Sequence, residues 1–183
     1  MRNLLLSAAL VALAGPALAT GLDIQVAGQA NGTVHVELYD DVAPQHVERI
    51  TTLAKEGAYD GVYFHRVIDG FMAQTGDVEF AKKDGDMRRA GMGGSDLPDL
   101  PAEFSDIPYE RGIVGMARSQ NPNSANSQFF IMFTEYPSLN GQYTVVGKVT
   151  SGMDVVDQIK RGEGPNGSVI GEPDMMAKVT VTE

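Results

Sequence analysis

Alternation of apolar and polar residues near the start of the chain predicts a β-hairpin. Residues 33–39 alternate strictly, with Val34, Val36 and Leu38 on one face. This is the pattern of a strand that buries one side. Residues 23–26 alternate in the same way. Asn31-Gly32 lies between the two runs and favours a tight turn, because both residues tolerate positive φ.

Two segments have the 3.6-residue periodicity of amphipathic helices. The first begins at Pro44, whose missing N–H costs nothing in the first turn, and ends near Gly57. The second is predicted over residues 153–161, with Ser151 and Asp154 as a weak capping box.

The rest of the chain is predicted to form strands and turns. Residues 79–100 are rich in charge, glycine and proline and predict a long surface loop. The strands far outnumber the helices and do not alternate with them, which favours a mainly β fold over a doubly wound α/β fold. We expect a closed antiparallel barrel capped by two α-helices. The β-branched and aromatic segments expected to form its further strands are Val62–Ile68, Gly112–Ala117, Gln128–Phe133, Thr144–Val149 and Lys178–Thr182.

The first residues are expected to be a signal peptide rather than part of the fold. Arg2 precedes an apolar run at residues 4–13, Gly15-Pro16 breaks any helix, and Ala17-Leu18-Ala19 is a cleavage signature. The apolar run is shorter than the ~20 residues that a membrane span needs. A buried N-terminal helix is the alternative interpretation. We expect residues 1–19 to be removed and residues 20–183 to form one exported domain, most consistent with the bacterial periplasm.

Composition narrows the function classes. The chain has 183 residues, with 24 acidic against 14 basic residues, a net charge of -10 and no cysteine. The acidic balance argues against nucleic acid and against an anionic membrane surface. The absence of cysteine excludes disulfides, iron–sulfur sites and thiol nucleophiles. No second apolar run of spanning length follows the first, so no membrane contact is expected after cleavage.

Common catalytic motifs are weak in this sequence. The three histidines, His35, His46 and His65, lack the spacing of a zinc hydrolase. A Ser-His-Asp triad stays open, because it needs only spatial proximity, but there is no G-x-S-x-G elbow. The glycines of residues 162–167 match a dinucleotide motif in form only, since a helix precedes them. We therefore expect neither metal nor cofactor.

One unusual segment, residues 63–77, carries a cation among apolar residues. Arg66 lies in a predicted strand, and Phe71, Met72 and Gln74 follow after a short turn. Strand pairing could bring Arg66 beside that apolar cluster. Taken alone, the segment fits a surface arginine next to a core as well as it fits a binding site.

Four segments together resemble the cyclophilin family. They are YFHRVIDGFMAQTGD at residues 63–77, GIVGMARS at 112–119, NSQFFI at 126–131 and LNG…VVGKVTSGMDVVDQI at 139–159. The resemblance implies a peptidyl-prolyl cis–trans isomerase with an eight-stranded closed antiparallel barrel and two helices. Its partners would be proline-containing unfolded or exported polypeptides, and we expect a monomer. The short loop at residues 118–124 and the signal peptide resemble the bacterial exported branch.

The resemblance also implies roles for individual residues. Arg66 would stabilise the twisted amide as the catalytic residue. Gln74 and Gln128 would bind substrate backbone or orient Arg66, and Ala117 would contact backbone on the facing wall. The apolar proline pocket would consist of Phe71, Met72, Phe130 and Leu139.

This chain departs from many eukaryotic members at three positions. Arg118 replaces an asparagine that acts mostly through its backbone, and Tyr143 replaces a histidine at the pocket rim. Ser138 occupies the place of a tryptophan that contributes chiefly to cyclosporin binding, so weak cyclosporin binding is expected. The sequence leaves two functions open: a working isomerase that assists folding of exported proteins, or a non-catalytic cyclophilin-fold module that binds clients. The intact Arg66 and its neighbours favour the first.

Overall fold

The computed structural model describes residues 20–183, so the predicted signal peptide lies outside the described residues. The described chain contains two helices, α1 (Pro44–Lys55) and α2 (Met153–Gln158). Its nine strands are β1 (Gly21–Ala27), β2 (Gly32–Leu38), β3 (Val62–Tyr63), β4 (Arg66–Ile68), β5 (Met72–Thr75), β6 (Ile113–Met116), β7 (Phe129–Met132), β8 (Val145–Ser151) and β9 (Met175–Thr182). Short 3₁₀ turns lie at Met87–Arg89, Pro137–Leu139 and Pro165–Gly167.

All nine strands belong to one antiparallel sheet with the order β3-β9-β1-β2-β8-β6-β7-β5-β4. Its curvature separates two apolar clusters. The larger cluster contains Ile24, Val36 and Ile131 together with the inner face of α1. The smaller one is built around Met72, Phe130 and Tyr109. Two clusters on one sheet allow one side to form the core while the other remains open to a ligand.

The prediction of a closed eight-stranded barrel is wrong, because the sheet is an open half-barrel. Its edges are β3 and β4, which follow one another in the chain but are not paired. The backbone of this region bonds to other segments instead. The N–H of Phe64 donates to the Asp174 carbonyl at 2.9 Å, and Val67 accepts from the Gly162 N–H at 2.8 Å. Loops therefore already bind backbone N–H and C=O groups that pairing of the two edges into a closed barrel would need.

The predicted hairpin exists, but its turn is longer than expected. β1 and β2 pair antiparallel, with Val26 opposite Gly32, and residues 28–31 connect them. The positive φ values belong to Gly28 (140°) and Gly32 (151°), not to Asn31. A side chain at Gly28 would overlap Asp174. Packing against a distant segment has therefore placed the turn.

Helix α1 matches the prediction in position, and its apolar residues face the core. Val47, Ile50 and Leu53 are almost fully buried. No side chain at its N-terminus caps it. Glu103, from a distant loop, accepts from the backbone N–H of Gln45 at 3.3 Å and from that of His46 at 3.2 Å. A carboxylate at this end satisfies free donors and complements the helix dipole.

Helix α2 is shorter than predicted, and the expected capping box is absent. The helix ends at Gln158, and its N-cap is Gly152 in a left-handed conformation with no side-chain cap. The N–H of Lys160 donates to Asp174 Oδ2 at 2.6 Å, which draws the chain out of the helix. A tertiary hydrogen bond here replaces the helical one.

The histidines occupy different environments. His46 and His65 are buried, at 0% and 5% exposure, while the side chain of His35 is exposed. His46 Nδ1 lies 2.6 Å from Glu103 Oε2. Within residues 20–183, no helix is both long enough and apolar enough to cross a membrane.

Candidate active site

A cavity of about 160 Å³ opens on the smaller apolar cluster. It brings together every predicted site residue except Gln128, namely Arg66, Phe71, Met72, Gln74, Ala117, Arg118, Phe130, Leu139 and Tyr143. We call it the proline pocket, after the role that the family resemblance implies for it. Gln128 lines an adjoining cavity of about 530 Å³ that shares Gln74, Ala117 and Arg118 with the proline pocket.

Strand register explains why residues distant in sequence meet here. Arg66 on β4 lies opposite Gln74 on β5. Gln74 in turn lies opposite Phe130 on β7, and Phe130 lies opposite Gly115 on β6. Residues directly opposite each other point to the same face of a sheet. The register therefore places the cation, the amide and the aromatic ring in one row.

The apolar part of the pocket is rigid at its floor and more open at its rim. Met72 and Phe130 are nearly completely buried, at 1% and 5% exposure. Phe71, Leu139 and Tyr143 are half-buried and pack around them. Tyr109 supports Phe130 from below, with ring centroids 5.8 Å apart in a stacked arrangement. The shape suits a compact apolar ring.

Neutral oxygen acceptors hold the guanidinium of Arg66. Nη1 donates to Gln74 Oε1 at 3.0 Å, Nε donates to the Asn166 carbonyl at 2.9 Å, and Nη2 donates to Asn166 Oδ1 at 3.1 Å. Nη1 also donates weakly to Met72 Sδ at 3.9 Å. Three of the five N–H groups thus have oxygen acceptors and a fourth has only a sulfur acceptor, so the guanidinium keeps donor capacity for a ligand.

Arg66 carries a charge that no carboxylate neutralises. Among residues 20–183, no carboxylate oxygen lies within ion-pair distance of its guanidinium. Burial lowers the pKa of Arg66 from its ordinary value. The group nevertheless remains protonated near neutral pH, because arginine starts so far above it. The pocket therefore presents a strong, oriented hydrogen-bond donor.

Gln74 and Gln128 connect Arg66 to the loop at residues 79–100 through hydrogen bonds. Gln74 Nε2 donates to Gln128 Oε1 at 2.9 Å. Gln128 Nε2 donates to the carbonyls of Gly91 and Gly93 at 3.0 and 2.8 Å. The two glutamines thus link Arg66 to Gly91 and Gly93, and their role in binding substrate backbone or orienting Arg66 stays a prediction.

The loop at residues 79–100 lies on the surface, as predicted, but its middle part is anchored at the site. Asp77 is fully buried. Its Oδ2 accepts from the N–H groups of Gly91 and Gly93, at 2.7 and 3.2 Å. The same two glycines thus bind Asp77 through their N–H groups and Gln128 through their carbonyls. The loop therefore determines how the glutamines are oriented.

Sequence reasoning missed Asn166. It lies 100 positions after Arg66 in the chain and supplies two of its acceptors. Among the described residues it is the one non-glycine with positive φ, at 55°. The Pro165-Asn166-Gly167 turn was visible in the sequence, but nothing local indicated which side chain it would face.

Arg118 contacts the pocket through its side chain. Its guanidinium carbon lies 4.2 Å from the ring centroid of Tyr143, and NH2 donates to the Gln142 carbonyl at 2.7 Å. Tyr143 meets Phe130 edge to face, with centroids 5.9 Å apart. Arg118 therefore fixes one wall of the pocket by cation–π stacking.

The described part of the chain holds no group of three or more His, Cys, Asp or Glu side chains arranged to bind a metal ion. The polar side-chain groups of the pocket are two guanidinium groups, an amide and a phenol. They can donate and accept hydrogen bonds beside an apolar cavity, which suits chemistry that makes and breaks no covalent bond.

Comparison with known proteins decides the family. The family described as "Cyclophilin type peptidyl-prolyl cis-trans isomerase/CLD" matches residues 22–181. The chain belongs to the cyclophilin family. A Brucella suis biovar 1 (strain 1330) protein named "Probable peptidyl-prolyl cis-trans isomerase" is 55% identical over 188 residues, covering 99% of this chain and 96% of that protein. This cyclophilin is a peptidyl-prolyl cis–trans isomerase.

Solved structures agree with the fold. Cyclophilin AquaCyp293 from Hirschia baltica superposes with a TM-score of 0.71 at 26% identity, covering 87% of this chain and 73% of the other. A Cryptosporidium parvum cyclophilin, crystallised in the presence of the dipeptide Ala-Pro, gives a TM-score of 0.74 at 25% identity and covers 89% and 99%. Both support a cyclophilin fold with two helices for this chain.

Proposed function

We propose that this isomerase rotates X–Pro bonds of polypeptide clients, with the proline ring in the proline pocket and Arg66 donating to the twisted amide. The observation that carries the proposal is the un-neutralised guanidinium of Arg66, held at the edge of an apolar pocket by Gln74 and Asn166. The Ala-Pro dipeptide present with the Cryptosporidium parvum relative supports proline as the recognised residue.

The barrier to this reaction comes from amide resonance. Rotation costs about 18–20 kcal/mol because the nitrogen lone pair is shared with the carbonyl, and it takes tens to hundreds of seconds unaided. In the twisted form, electron density returns to the nitrogen. A catalyst must therefore bind the twisted amide better than either planar form.

The geometry offers such differential binding. Met72, Phe130 and Leu139 can hold the proline ring still while the preceding carbonyl turns. Arg66 can donate a charge-assisted hydrogen bond to the density that localises during rotation. Because its other N–H groups are fixed by Gln74 and Asn166, little reorganisation is needed at that moment.

Removing the guanidinium tests this assignment. We expect Arg66→Ala to lower kcat/KM by about 10- to 100-fold, since a charge-assisted hydrogen bond is worth about 1.5–3 kcal/mol. Arg66→Lys should also be poor, because an ammonium lacks the planar fork. A protease-coupled proline-peptide assay measures the rate, and circular dichroism checks the fold. Arg88→Ala, at an exposed arginine outside the pocket, is the matched control. Wild-type activity in a folded Arg66→Ala protein would assign the chemistry elsewhere.

We further propose that the chain belongs to the bacterial exported branch and assists folding of proteins in the periplasm. The support is the charged start, apolar run and Ala17-Leu18-Ala19 triplet in the sequence. Intact-mass measurement of protein from the periplasmic fraction tests this. A mature form starting at Thr20 is expected, and recovery of a form that still starts at Met1 would contradict export with cleavage.

A further inference from the structure

An exposed aromatic surface continues from the proline pocket. Phe71 lines the pocket, and the ring of Tyr136 packs against it with centroids 4.5 Å apart and planes tilted by 41°. Tyr136 is 42% exposed although it is a large aromatic residue. We call Phe71 and Tyr136 the aromatic shelf. Exposed aromatic surface beside a binding cavity commonly marks a contact site.

The backbone holds the shelf rigidly. The Tyr136 N–H donates to the Tyr109 carbonyl at 2.7 Å, and its carbonyl accepts from the Leu139 N–H at 3.0 Å. The Phe71 carbonyl accepts from the Phe133 N–H at 2.9 Å. Leu139 itself lines the pocket. The shelf therefore keeps a fixed position relative to the bound proline and loses little conformational entropy when it binds a ligand.

The polar groups of the site determine which part of a client reaches the shelf. In the proposed function, Arg66 and Gln74 lie beside the amide that precedes the proline ring. The adjoining cavity shares Gln74 and Ala117 with the pocket, whereas Phe71 does not line it. The client residues before the proline would then lie toward that cavity. The residues after it would leave on the side of Phe71, which contacts Tyr136.

We propose that Tyr136 is a specificity-determining residue whose ring binds the side chain of the client residue directly after the proline. The aromatic shelf then favours clients with an aromatic or large apolar residue at that position. The inference rests on the proposed function, since it requires proline to occupy the pocket. An aromatic pair contributes enough to expect a preference of about 3- to 10-fold in KM. The contact is the same in planar and twisted forms, so kcat should change little.

The experiment compares tetrapeptides Ala-Ala-Pro-Phe and Ala-Ala-Pro-Ala, and a third with phenylalanine before the proline, Ala-Phe-Pro-Ala. Rotation is followed by NMR exchange spectroscopy, so that no protease preference enters. For wild type we expect the lower KM with phenylalanine after the proline. Tyr136→Ser should remove most of that preference, and Tyr136→Phe should restore it, because the ring rather than the hydroxyl makes the contact.

Phe104→Ser is the matched control, since Phe104 is 45% exposed and does not line the pocket. It should leave the ratio of KM values unchanged. An equal ratio in wild type and Tyr136→Ser, or a Tyr136-dependent preference for phenylalanine before the proline, would overturn the inference. The two proposals are tested on different variants. Wild-type activity in a folded Arg66→Ala protein contradicts the proposed role of Arg66, whereas the ratio of KM values in wild type and Tyr136→Ser decides the role of Tyr136.

Discussion

Two arginines line the same pocket, and their neighbours give them different tasks. Arg118 donates to the carbonyls of Ser119 and Gln142 and stacks on Tyr143, so its side chain forms part of the pocket wall. Gln74 and Asn166 accept from three of the five N–H groups of Arg66, so part of its donor capacity remains for a ligand. The residue type alone does not distinguish them. The arrangement of hydrogen-bond acceptors around each guanidinium group distinguishes the two arginines.

Asn166 should matter to catalysis through Arg66. Asn166→Gly keeps the left-handed backbone and its carbonyl acceptor but removes Oδ1, so we expect unchanged stability and a loss of about 3- to 10-fold in kcat/KM. The peptide assay and thermal unfolding measure the two effects. Asn31→Gly, in the β1–β2 connection, is the control. An unaltered rate in Asn166→Gly would mean that the carbonyl alone orients the guanidinium.

Ser138 should limit binding of cyclosporin. It lies exposed in the 3₁₀ turn at Pro137–Leu139, next to the pocket residue Leu139. A small hydroxyl offers little of the apolar area that a tryptophan presents, and it lacks the indole N–H. We expect Ser138→Trp to tighten inhibition by about 30- to 200-fold, corresponding to about 2–3 kcal/mol. Titration of the drug into the peptide assay measures this, with Ser119→Trp as control. Tight inhibition of wild type would contradict the assignment of the rim.

At the scale of elements, the site depends on how one long loop is attached to the sheet. β4, β5 and β7 supply Arg66, Gln74 and Phe130 in register. The loop at residues 79–100 supplies the carbonyls that orient Gln128. A single buried carboxylate, Asp77, accepts four backbone N–H groups and joins strand end and loop. The precision of the site therefore comes from a loop as much as from strands.

Asp77→Asn should loosen that loop. An amide NH₂ cannot accept from the N–H groups that one carboxylate oxygen now binds, so buried donors lose their partner. We expect a loss of about 1–3 kcal/mol in the free energy of unfolding and a lower kcat/KM, because Gln128 loses its anchor. Urea denaturation and the peptide assay measure both. Asp84→Asn, at an exposed carboxylate of the same loop, should change neither. A destabilised variant with full activity would show that the loop does not orient the glutamines.

At the scale of the whole molecule, the open half-barrel divides the apolar residues between a core and a binding surface. The larger cluster is covered by α1 and contains most buried residues. The smaller cluster ends at the proline pocket. The proposed site therefore uses one face of a sheet whose other face makes the core.

Acid should destabilise the fold in two steps. Burial lowers the pKa of His46 and of His65 below the ordinary 6.5, so the unfolded chain binds protons first as pH falls below about 6.5. Each such proton reduces stability by up to about 1.4 kcal/mol per pH unit. Glu103 is partly buried, which alone would raise its pKa, but hydrogen bonds from His46 outweigh this and lower the pKa below 4.5. The stabilisation that ionised Glu103 gives the fold is therefore present above about pH 4.5 and is lost as the pH falls below it.

Urea denaturation between pH 8 and pH 3.5 measures these steps. Stability should fall from about pH 6.5 and again below about pH 4.5. Glu103→Gln should remove much of the second step, and it should lower stability at pH 7 by about 1 kcal/mol through loss of the carboxylate at the start of α1. Glu110→Gln, at an exposed carboxylate, is the control. A stability profile that stays flat down to pH 5 would contradict the role given to the buried histidines.

Local sequence patterns were enough to predict several elements and most of the residues that line the pocket. Periodicities of 2 and 3.6 residues are local properties, so the β1–β2 pair and α1 could be predicted from single stretches. Motif resemblance predicted the residues that line the proline pocket, and the pairing of Arg66 with Gln74 follows from one short turn. These features depend on residues that are near each other in the chain.

Contacts between segments that are distant in the chain set the remaining features. Loops at Asp174 and Gly162 satisfy the edge groups and leave the sheet open. Asp174 also shortens α2. Asn166 reaches Arg66 across 100 positions, and Tyr136 meets Phe71 only because two strand ends converge. No local pattern encodes these contacts, because a hydrogen bond or ring contact between distant segments depends on where the whole chain places both partners.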